Sequence, residues 1–194
     1  MANSQFDREY GVTTQAILFL GDLDPDDVGD AGAHATHYEA VPPNDFRALI
    51  SHVPIGIIER SACVDIGAGM GRAMLLAAEH PFKYVLGIEV SAGLYEVTKE
   101  NLAHARPVRR ACNDLRVVRA DARIHEYPPG DLVVFAYNPF DAVALEATAG
   151  ALLSRRDRGD TWFLYHTPVA RAVIDADPRW SIVAEIPSGV VYRA

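Results

Sequence analysis

Cysteine is scarce in this sequence, in which Cys63 and Cys112 are the two cysteines among 194 residues. Cys63 falls in a predicted buried strand, so we expect no disulfide and a reducing compartment. There is no Cys-x-x-Cys pair and no cluster of histidine and cysteine with ligand spacing, so we predict no metal site. These absences exclude a disulfide-rich secreted scaffold and a zinc-stabilised module.

Long apolar runs and an excess of basic residues are missing as well. The apolar run Ala16–Leu20 is too short for a membrane span or a signal peptide, so we expect a cytoplasmic protein without a membrane partner. Lysine and arginine number 18 against 26 acidic residues, which gives a net charge of -8. Because nucleic acid and anionic membranes attract basic surfaces, we expect a small molecule or a protein as partner.

A regular alternation of strands and helices begins near residue 60. The predicted parallel strands are Ala62–Ile66, Tyr84–Glu89, Leu115–Val118, Asp131–Ala136 and Thr161–His166, and a hairpin of Trp180–Ile186 and Val190–Arg193 closes the chain. Helices are predicted between them, with Ser91 as the N-cap of the longest. The pattern predicts an α/β, Rossmann-like fold with a mostly parallel seven-stranded sheet, a C-terminal antiparallel hairpin and helices on both faces.

The pattern is weaker before residue 60. We interpret residues 1–58 as a lead-in with cap helices and residues 59–194 as the domain that carries the main site. One helix is predicted from Asp45 to His52, with Asn44 as its N-cap. The acidic segment Gly21–Asp27 is interpreted as a surface loop or a helix start. A metal site is disfavoured there, because the carboxylates lack the spacing of a calcium loop.

The first predicted strand runs into a glycine-rich turn, Gly67-Ala68-Gly69-Met70-Gly71, and then into a helix. Such a turn brings bare backbone close to a ligand. At the start of the helix it is expected to offer free N–H groups to a negative or dipolar group. We therefore predict a cofactor cradle here.

Doubly wound sheets bind ligands at the carboxyl ends of their strands. Glu89 ends the second strand about twenty residues after the glycines, where an acid suits the hydroxyls of a ribose. His166, at the end of the fifth strand, is either a base or a hydrogen-bonded structural histidine. The candidate site comprises Asp65, Gly67, Ala68, Gly69, Gly71, Glu89, Asp121, Ala122, Asn138, Pro139 and Phe140.

The spacing of the glycines bears on the kind of cofactor. A dinucleotide fingerprint requires Gly-x-Gly-x-x-Gly. Here the third glycine comes one residue early, at Gly71, and Arg72 occupies the last position of the fingerprint. We expect the Arg72 side chain to prevent the close packing of helix on strand that a dinucleotide fold needs. This favours a cofactor with an amino-acid tail over a dinucleotide.

Three motifs together resemble those of class I S-adenosylmethionine-dependent methyltransferases: Val64–Gly71, Val85–Glu89 and Ala120–Ala122. The resemblance covers residues 60–194 and implies S-adenosyl-L-methionine as cofactor. It implies that the backbone of Gly67–Gly71 faces the methionine part, with Asp65 on its amino group and Glu89 on the ribose. It further implies that Asp121 and the Ala122 N–H bind the adenine and that Val90 lines the adenosine.

The turn Tyr137-Asn138-Pro139-Phe140 resembles the Asn-Pro-Pro-Tyr/Phe motif of amino-group methyltransferases, although the second proline is missing. The resemblance implies that Asn138, Pro139 and Phe140 position a nitrogen of a protein side chain or small molecule. Small bacterial methyltransferases with a Tyr-Asn-Pro-Phe turn are similar too, which implies that Tyr10–Thr14 and Tyr38–Pro43 fold over the cofactor.

Two alternatives remain open from the sequence. One is an NAD(P)-dependent Rossmann oxidoreductase, which Arg72 and the terminal hairpin disfavour. The other is a non-catalytic S-adenosylmethionine-binding protein, which the intact turn at Asn138 disfavours.

Overall fold

A computed structural model describes residues 4–19, 37–138 and 140–194, so the acidic segment Gly21–Asp27 and Pro139 lie outside the described residues. The helices are α1 (Gln5–Tyr10), α2 (Pro43–Ile50), α3 (Ile55–Arg60), α4 (Arg72–Ala77), α5 (Ala92–His104), α6 (Ala142–Ser154) and α7 (Ala172–Asp175). The strands are β1 (Ile17–Phe19), β2 (His37–Glu39), β3 (Ala62–Ile66), β4 (Val85–Glu89), β5 (Leu115–Arg119), β6 (Gly130–Tyr137), β7 (Arg158–His166), β8 (Ser181–Ile186) and β9 (Gly189–Arg193).

Seven of these strands form one sheet in the order β5-β4-β3-β6-β7-β9-β8. The strands β3 to β7 are parallel, and β9 pairs antiparallel with both β7 and β8. This confirms the predicted α/β fold with its C-terminal antiparallel hairpin. The chain winds outward from β3 on one side and from β6 on the other, so a crevice opens between the carboxyl ends of these two strands.

The central strands β3 and β4 are buried along their whole length, which explains why they are mostly apolar. Phe135 of β6 packs with Phe46 of α2 and Leu75 of α4 on one face. The preceding residue of the strand, Val134, packs with Leu145 of α6 on the other face. Both cysteines are free and buried. Across the described ranges, no helix has the length and apolarity needed to cross a membrane.

Elements that the sequence analysis did not predict lie before residue 60. Ser4 caps α1 by accepting a hydrogen bond from the Asp7 N–H at 3.1 Å, and Gly11 ends the helix in a left-handed conformation with φ 71°. Strands β1 and β2 pair antiparallel, with Ile17 opposite Glu39. The Ser4 and Gly11 signals are typical of helix ends and could have located α1.

Several predicted boundaries were wrong. Helix α2 begins at Pro43 and ends at Ile50, whereas a helix from Asp45 to His52 with Asn44 as its N-cap was predicted. Proline suits the first helical turn because its fixed φ is already helical and its missing N–H would have no partner there. Strand β7 begins at Arg158, earlier than the predicted Thr161, because it pairs with Gly130 of β6.

Candidate functional site

A pocket lies in the crevice at the carboxyl ends of β3, β4 and β6. Predicted residues that line it are Asp65, Gly67, Ala68, Gly69, Glu89, Val90 and Phe140. Gly71, Asp121, Ala122 and Asn138 are not among the described lining residues, and Pro139 is not described. The structure thus brings the ends of β3 and β4 together with Phe140, which follows β6.

Asp65 is a buried acid at this pocket, with 3% of its surface exposed. Its Oδ2 atom has no hydrogen-bond partner among the described residues. Burial, and then the negative charge of Glu89, raises the pKa of Asp65 from 3.8 to about 8. Because an uncompensated buried carboxylate is costly, a cationic group of a ligand would satisfy Asp65.

The second acid, Glu89, is held between the glycine turn and the start of α5. Its Oε2 accepts a hydrogen bond from the Gly69 N–H at 2.7 Å, and its Oε1 accepts one from the Ser91 N–H at 2.9 Å. Ser91 in turn caps α5 by accepting from the Leu94 N–H at 3.2 Å. Each carboxylate oxygen can accept more than one hydrogen bond, so Glu89 can also accept from two ligand hydroxyls.

The glycine turn departs from the prediction of free N–H groups. The N–H groups of Gly67 and Ala68 donate to the Ile88 carbonyl at 2.9 and 3.1 Å, and that of Gly71 donates to the Ala68 carbonyl at 2.8 Å. The Gly69 N–H is bonded to Glu89 as well. These four N–H groups are therefore occupied, and the turn contributes mainly by letting a ligand approach the backbone closely. A β-carbon at Gly69, where φ is 57°, would lie 2.2 Å from the Tyr38 ring.

The structure also corrects the interpretation of Arg72. Its side chain does not crowd α4 against the sheet but turns toward the N-terminal segment, where Nη2 lies 3.2 Å from Asp7 Oδ1. Its Nε donates to Thr14 Oγ1 at 2.7 Å, and its guanidinium lies 5.0 Å from the centre of the Phe6 ring. Asp7 also accepts from the N–H groups of Thr14 and Gln15, at 3.1 and 3.0 Å. A buried arginine needs such a partner, so Arg72 gives no argument against a dinucleotide.

Two further side chains connect the N-terminal segment with the glycine turn. Tyr38 belongs to the segment Tyr38–Pro43 that was expected to fold over the cofactor, whereas the sequence analysis missed Asn101 of α5. The Tyr38 hydroxyl donates to the Thr14 carbonyl at 2.6 Å while its ring lines the pocket. The Asn101 amide donates to the carbonyls of Thr13 and Met70, both at 2.9 Å. Asn101 lies seven positions after Leu94 on α5, so helical spacing could have placed it on the same inward face.

Asp121 and Ala122 lie after β5, at the edge of the sheet. The Asp121 carboxylate accepts from Arg123 Nη2 at 2.6 Å and from the Arg123 N–H at 2.9 Å. The Ala122 carbonyl accepts from the Tyr127 hydroxyl at 2.8 Å. Arg123 therefore holds the Asp121 carboxylate in an ion pair.

Asn138 follows β6 in a left-handed conformation, with φ 36°. Its N–H donates to the His166 carbonyl at 3.2 Å, and its Oδ1 accepts from the Tyr165 hydroxyl at 3.4 Å. Non-glycine residues in this conformation are uncommon, and asparagine is enriched among them. The turn is thus fixed against the end of β7.

His166 is buried, and both of its ring nitrogens have partners. Nε2 lies 3.1 Å from Asp45 Oδ2, and Nδ1 lies 3.0 Å from the Thr167 hydroxyl. These contacts favour the interpretation of His166 as a hydrogen-bonded structural histidine.

A contact between Tyr137 and Glu39 spans the side of the pocket next to β6. The Tyr137 hydroxyl donates to Glu39 Oε2 at 2.7 Å, and both residues line the pocket. Burial and this hydrogen bond raise the pKa of Tyr137. The sequence analysis included both residues in segments that it placed at the site, the turn Tyr137–Phe140 and the segment Tyr38–Pro43, but it gave neither side chain a role of its own. In the part of the chain that the structure describes, no group of three or more histidine, cysteine, aspartate or glutamate side chains could hold a metal ion.

No family model and no curated protein matches this sequence. Solved structures do resemble it. A dimethyladenosine transferase from Plasmodium falciparum superposes with a TM-score of 0.56 at 14% identity, over 80% of this chain and 62% of that one. A ribosomal protein L11 methylase from Lactobacillus delbrueckii subsp. bulgaricus gives 0.53 at 13% identity, over 77% of this chain and 75% of that one. The 23S rRNA methyltransferase ErmE gives 0.54 at 15% identity, over 79% and 67%.

At these identities the similarity shows the fold alone. The three structures differ in their substrates by name: a dimethyladenosine transferase, a ribosomal protein L11 methylase and a 23S rRNA methyltransferase. The chain therefore has the Rossmann-like α/β fold of methyltransferases, with its C-terminal antiparallel hairpin.

Proposed function

We propose that this protein is an S-adenosylmethionine-dependent methyltransferase that methylates a nitrogen of a protein side chain or small molecule. The observation that carries the proposal is the buried Asp65, whose Oδ2 is without a partner among the described residues, in a pocket shared with Glu89. The cofactor carries an ammonium group and ribose hydroxyls, which are the groups that these two acids are suited to bind. When bound, S-adenosylmethionine supplies an activated methyl group on a sulfonium.

We assign each of these residues to one part of the cofactor. Asp65 binds the amino group, the turn Gly67–Gly71 packs against the methionine part, and Glu89 accepts from the ribose. Val90 packs against the adenosine. Asp121 and Ala122 bind the adenine, which requires Asp121 to accept from the ligand while it keeps its pair with Arg123. We assign cofactor binding to residues 59–194 and closure over the cofactor to residues 1–58, because Tyr38–Val41 line the pocket.

We assign the acceptor to the side of the pocket next to β6, where Asn138, Pro139 and Phe140 position its nitrogen. An amide oxygen that accepts from an amine holds the nitrogen lone pair in a fixed direction, which contributes through positioning. The net charge of -8 disfavours a nucleic acid acceptor, although a 23S rRNA methyltransferase shares the fold. The two free cysteines support a cytoplasmic location.

Replacing Glu89 by alanine should weaken the binding of S-adenosylhomocysteine by roughly 10- to 100-fold, because two charge-assisted hydrogen bonds to the ribose are lost. Isothermal titration calorimetry measures this affinity. Glu89→Gln is the matched variant, since its amide oxygen can still accept from the Gly69 N–H that Glu89 holds. An unchanged affinity in Glu89→Ala would refute the ribose assignment.

Transfer of an isotope-labelled methyl group tests the catalytic part of the proposal. The purified protein and labelled S-adenosylmethionine are added to a cell lysate, which is then fractionated into protein, small molecules and nucleic acid. We expect label above the no-enzyme control in the protein or small-molecule fraction. Silence in every fraction from a protein that binds the cofactor would favour the non-catalytic alternative instead.

A further inference from the structure

A second cavity lies at the opposite edge of the sheet from the crevice, at the amino ends of β6 and β7. Its walls are residues from 125–129, which precede β6, and from 151–157, which include the end of α6 and the loop to β7. Its volume is about 370 Å³, which lies within the range of small-molecule sites in proteins. The cavity is therefore large enough for a ligand of its own.

Arg155 is a buried arginine in the wall of this cavity, with 9% of its surface exposed. It is the C-cap residue of α6, and its Nη1 donates to the Leu152 carbonyl and, at 2.9 Å, to Thr161 Oγ1. Its Nη2 donates to the Gly130 carbonyl at 2.8 Å. These three hydrogen bonds use three of the five N–H donors of a guanidinium. Arg155 thus has a structural role at the end of α6, and that role leaves two donors over.

The guanidinium of Arg155 lacks an anionic partner within the described part of the chain. Its Nε atom is buried and has no hydrogen-bond partner there. The acids Asp131 and Asp160, which adjoin its acceptors Gly130 and Thr161 in the chain, pair instead with Arg60. A buried charge is costly without a partner of opposite charge, so an anion in the cavity would stabilise Arg155.

The other formal charges of the wall are exposed. Arg156 adds a positive charge, whereas Glu126 and Asp157 add negative charges. Water and salt screen exposed charges, while a charge in a buried site acts more strongly on a neighbouring ligand. Burial, and then the positive charge of Arg158, lowers the pKa of Arg155 to about 10, which leaves it protonated at neutral pH. The charge with the strongest effect on a ligand in the cavity is therefore that of Arg155.

We infer that this cavity binds a small oxyanion, with phosphate favoured, against the guanidinium of Arg155. The planar fork of a guanidinium matches two oxygens of a phosphate or a carboxylate. Phosphate is favoured because its further oxygens can also accept from the exposed Arg156. The site lies away from the carboxyl ends of the strands, so this inference goes beyond the proposed function and does not depend on it.

The test follows the full protein by ¹⁵N NMR, through the Nε–H signal of Arg155 and the amide signals of residues 125–129 and 151–157. Sodium phosphate, sodium acetate and sodium chloride are titrated separately at the same pH and at matched ionic strength. We expect saturable shifts with phosphate and none with chloride. Saturation with acetate alone would keep the oxyanion and replace phosphate by a carboxylate. Equal responses to all three salts, or no saturation with either oxyanion, would overturn the inference.

A matched pair of variants tests the location of the site and keeps Arg155 in place. Ser154 is an exposed residue of the last turn of α6 and lines the cavity. Ser154→Glu adds a carboxylate beside the guanidinium, so we expect phosphate to bind roughly tenfold more weakly or not at all. Ser154→Gln has the same size and no charge, and it should bind phosphate more tightly than Ser154→Glu does. Equal affinities in the two variants would contradict the inference.

A second variant tests the fork of Arg155 itself. Arg155→Lys keeps the positive charge and loses the planar pair of donors, so we expect its affinity for phosphate to fall roughly tenfold. Arg179→Lys, at an exposed arginine that pairs with Asp177, is the control and should bind phosphate as the wild type does. If Arg155→Lys does not fold, the Ser154 pair decides the question. A folded Arg155→Lys with unchanged affinity would show that Arg155 is only the cap of α6.

Discussion

Replacing Asp65 by asparagine should stabilise the ligand-free protein and weaken its binding of the cofactor. Asp65 is buried with a pKa raised to about 8, so its ionisation is unfavourable in the folded state. Asparagine has a similar shape and no charge, although its amide group must also be accommodated. At pH 8 and above we expect the variant to be more stable by about 1–3 kcal/mol. This gain is smaller than the full pKa shift implies, because burying the amide group costs part of it.

The pH dependence of this effect has a definite sign. Between the ordinary Asp pKa of 3.8 and the folded value of about 8, the folded state retains a proton that the unfolded chain releases. Stability contributed by Asp65 therefore falls as the pH rises through this window. Urea unfolding of both proteins between pH 4 and 9 should show the stability of the variant relative to the wild type at its lowest near pH 4 and at its highest at the upper end. A constant difference across that range would contradict the assignment.

Cofactor binding should change in the opposite direction. Loss of a charge-assisted hydrogen bond to the ammonium group is expected to lower the affinity for S-adenosylhomocysteine roughly 10- to 100-fold. In the wild-type protein at pH 7, binding should release up to one proton, because the cation favours ionised Asp65. Calorimetry in buffers of different ionisation enthalpy measures this release. Asp65→Asn should abolish it.

Replacing Arg72 by methionine should destabilise the protein by about 3–5 kcal/mol, because it leaves the Asp7 carboxylate buried without its cation. Arg72 also donates to Thr14 and lies against Phe6, so the same change loosens the segment that carries α1. We expect urea unfolding to move to lower concentration and amide hydrogen exchange to accelerate in residues 4–16.

Two comparison variants make this prediction specific. Arg116→Ala removes an exposed arginine that pairs with Asp114 at 2.5 Å, and it should leave the stability within error of the wild type. Adding Asp7→Asn to Arg72→Met should recover part of the loss, because no buried charge then remains unpaired. Equal losses in Arg72→Met and Arg116→Ala would show that the buried pair has no special role.

The features that could be predicted from the sequence depend on local patterns. The apolar strands and the helices between them define the parallel sheet, and its topology brings Asp65 and Glu89 to one edge. Ser91 was predicted as a helix cap, and in the structure its side chain accepts a hydrogen bond from the N–H of Leu94, three residues later. Strand and helix periodicity are properties of neighbouring residues, so a single sequence contains them.

The features that could not be predicted depend on contacts between distant residues. Arg72 and Asp7 are separated by 65 positions, and no local pattern links them. The contact between Tyr137 and Glu39 spans 98 positions. The N–H groups of the glycine turn were expected to be free because the turn was considered without Ile88 and Glu89, which accept from them. The N-terminal segment therefore enters the site through tertiary packing that periodicity does not show.

Ligand-induced stabilisation tests the central claim, that the pocket binds S-adenosylmethionine, most directly. The thermal midpoint of the wild-type protein is measured alone, with S-adenosylhomocysteine, and with NADH or NADPH. A ligand that binds only the folded state at 100 times its Kd contributes about 2.7 kcal/mol of stability. We predict that S-adenosylhomocysteine raises the midpoint and that the nicotinamide dinucleotides do not. Stabilisation by NADH or NADPH, with no response to S-adenosylhomocysteine, would contradict the account.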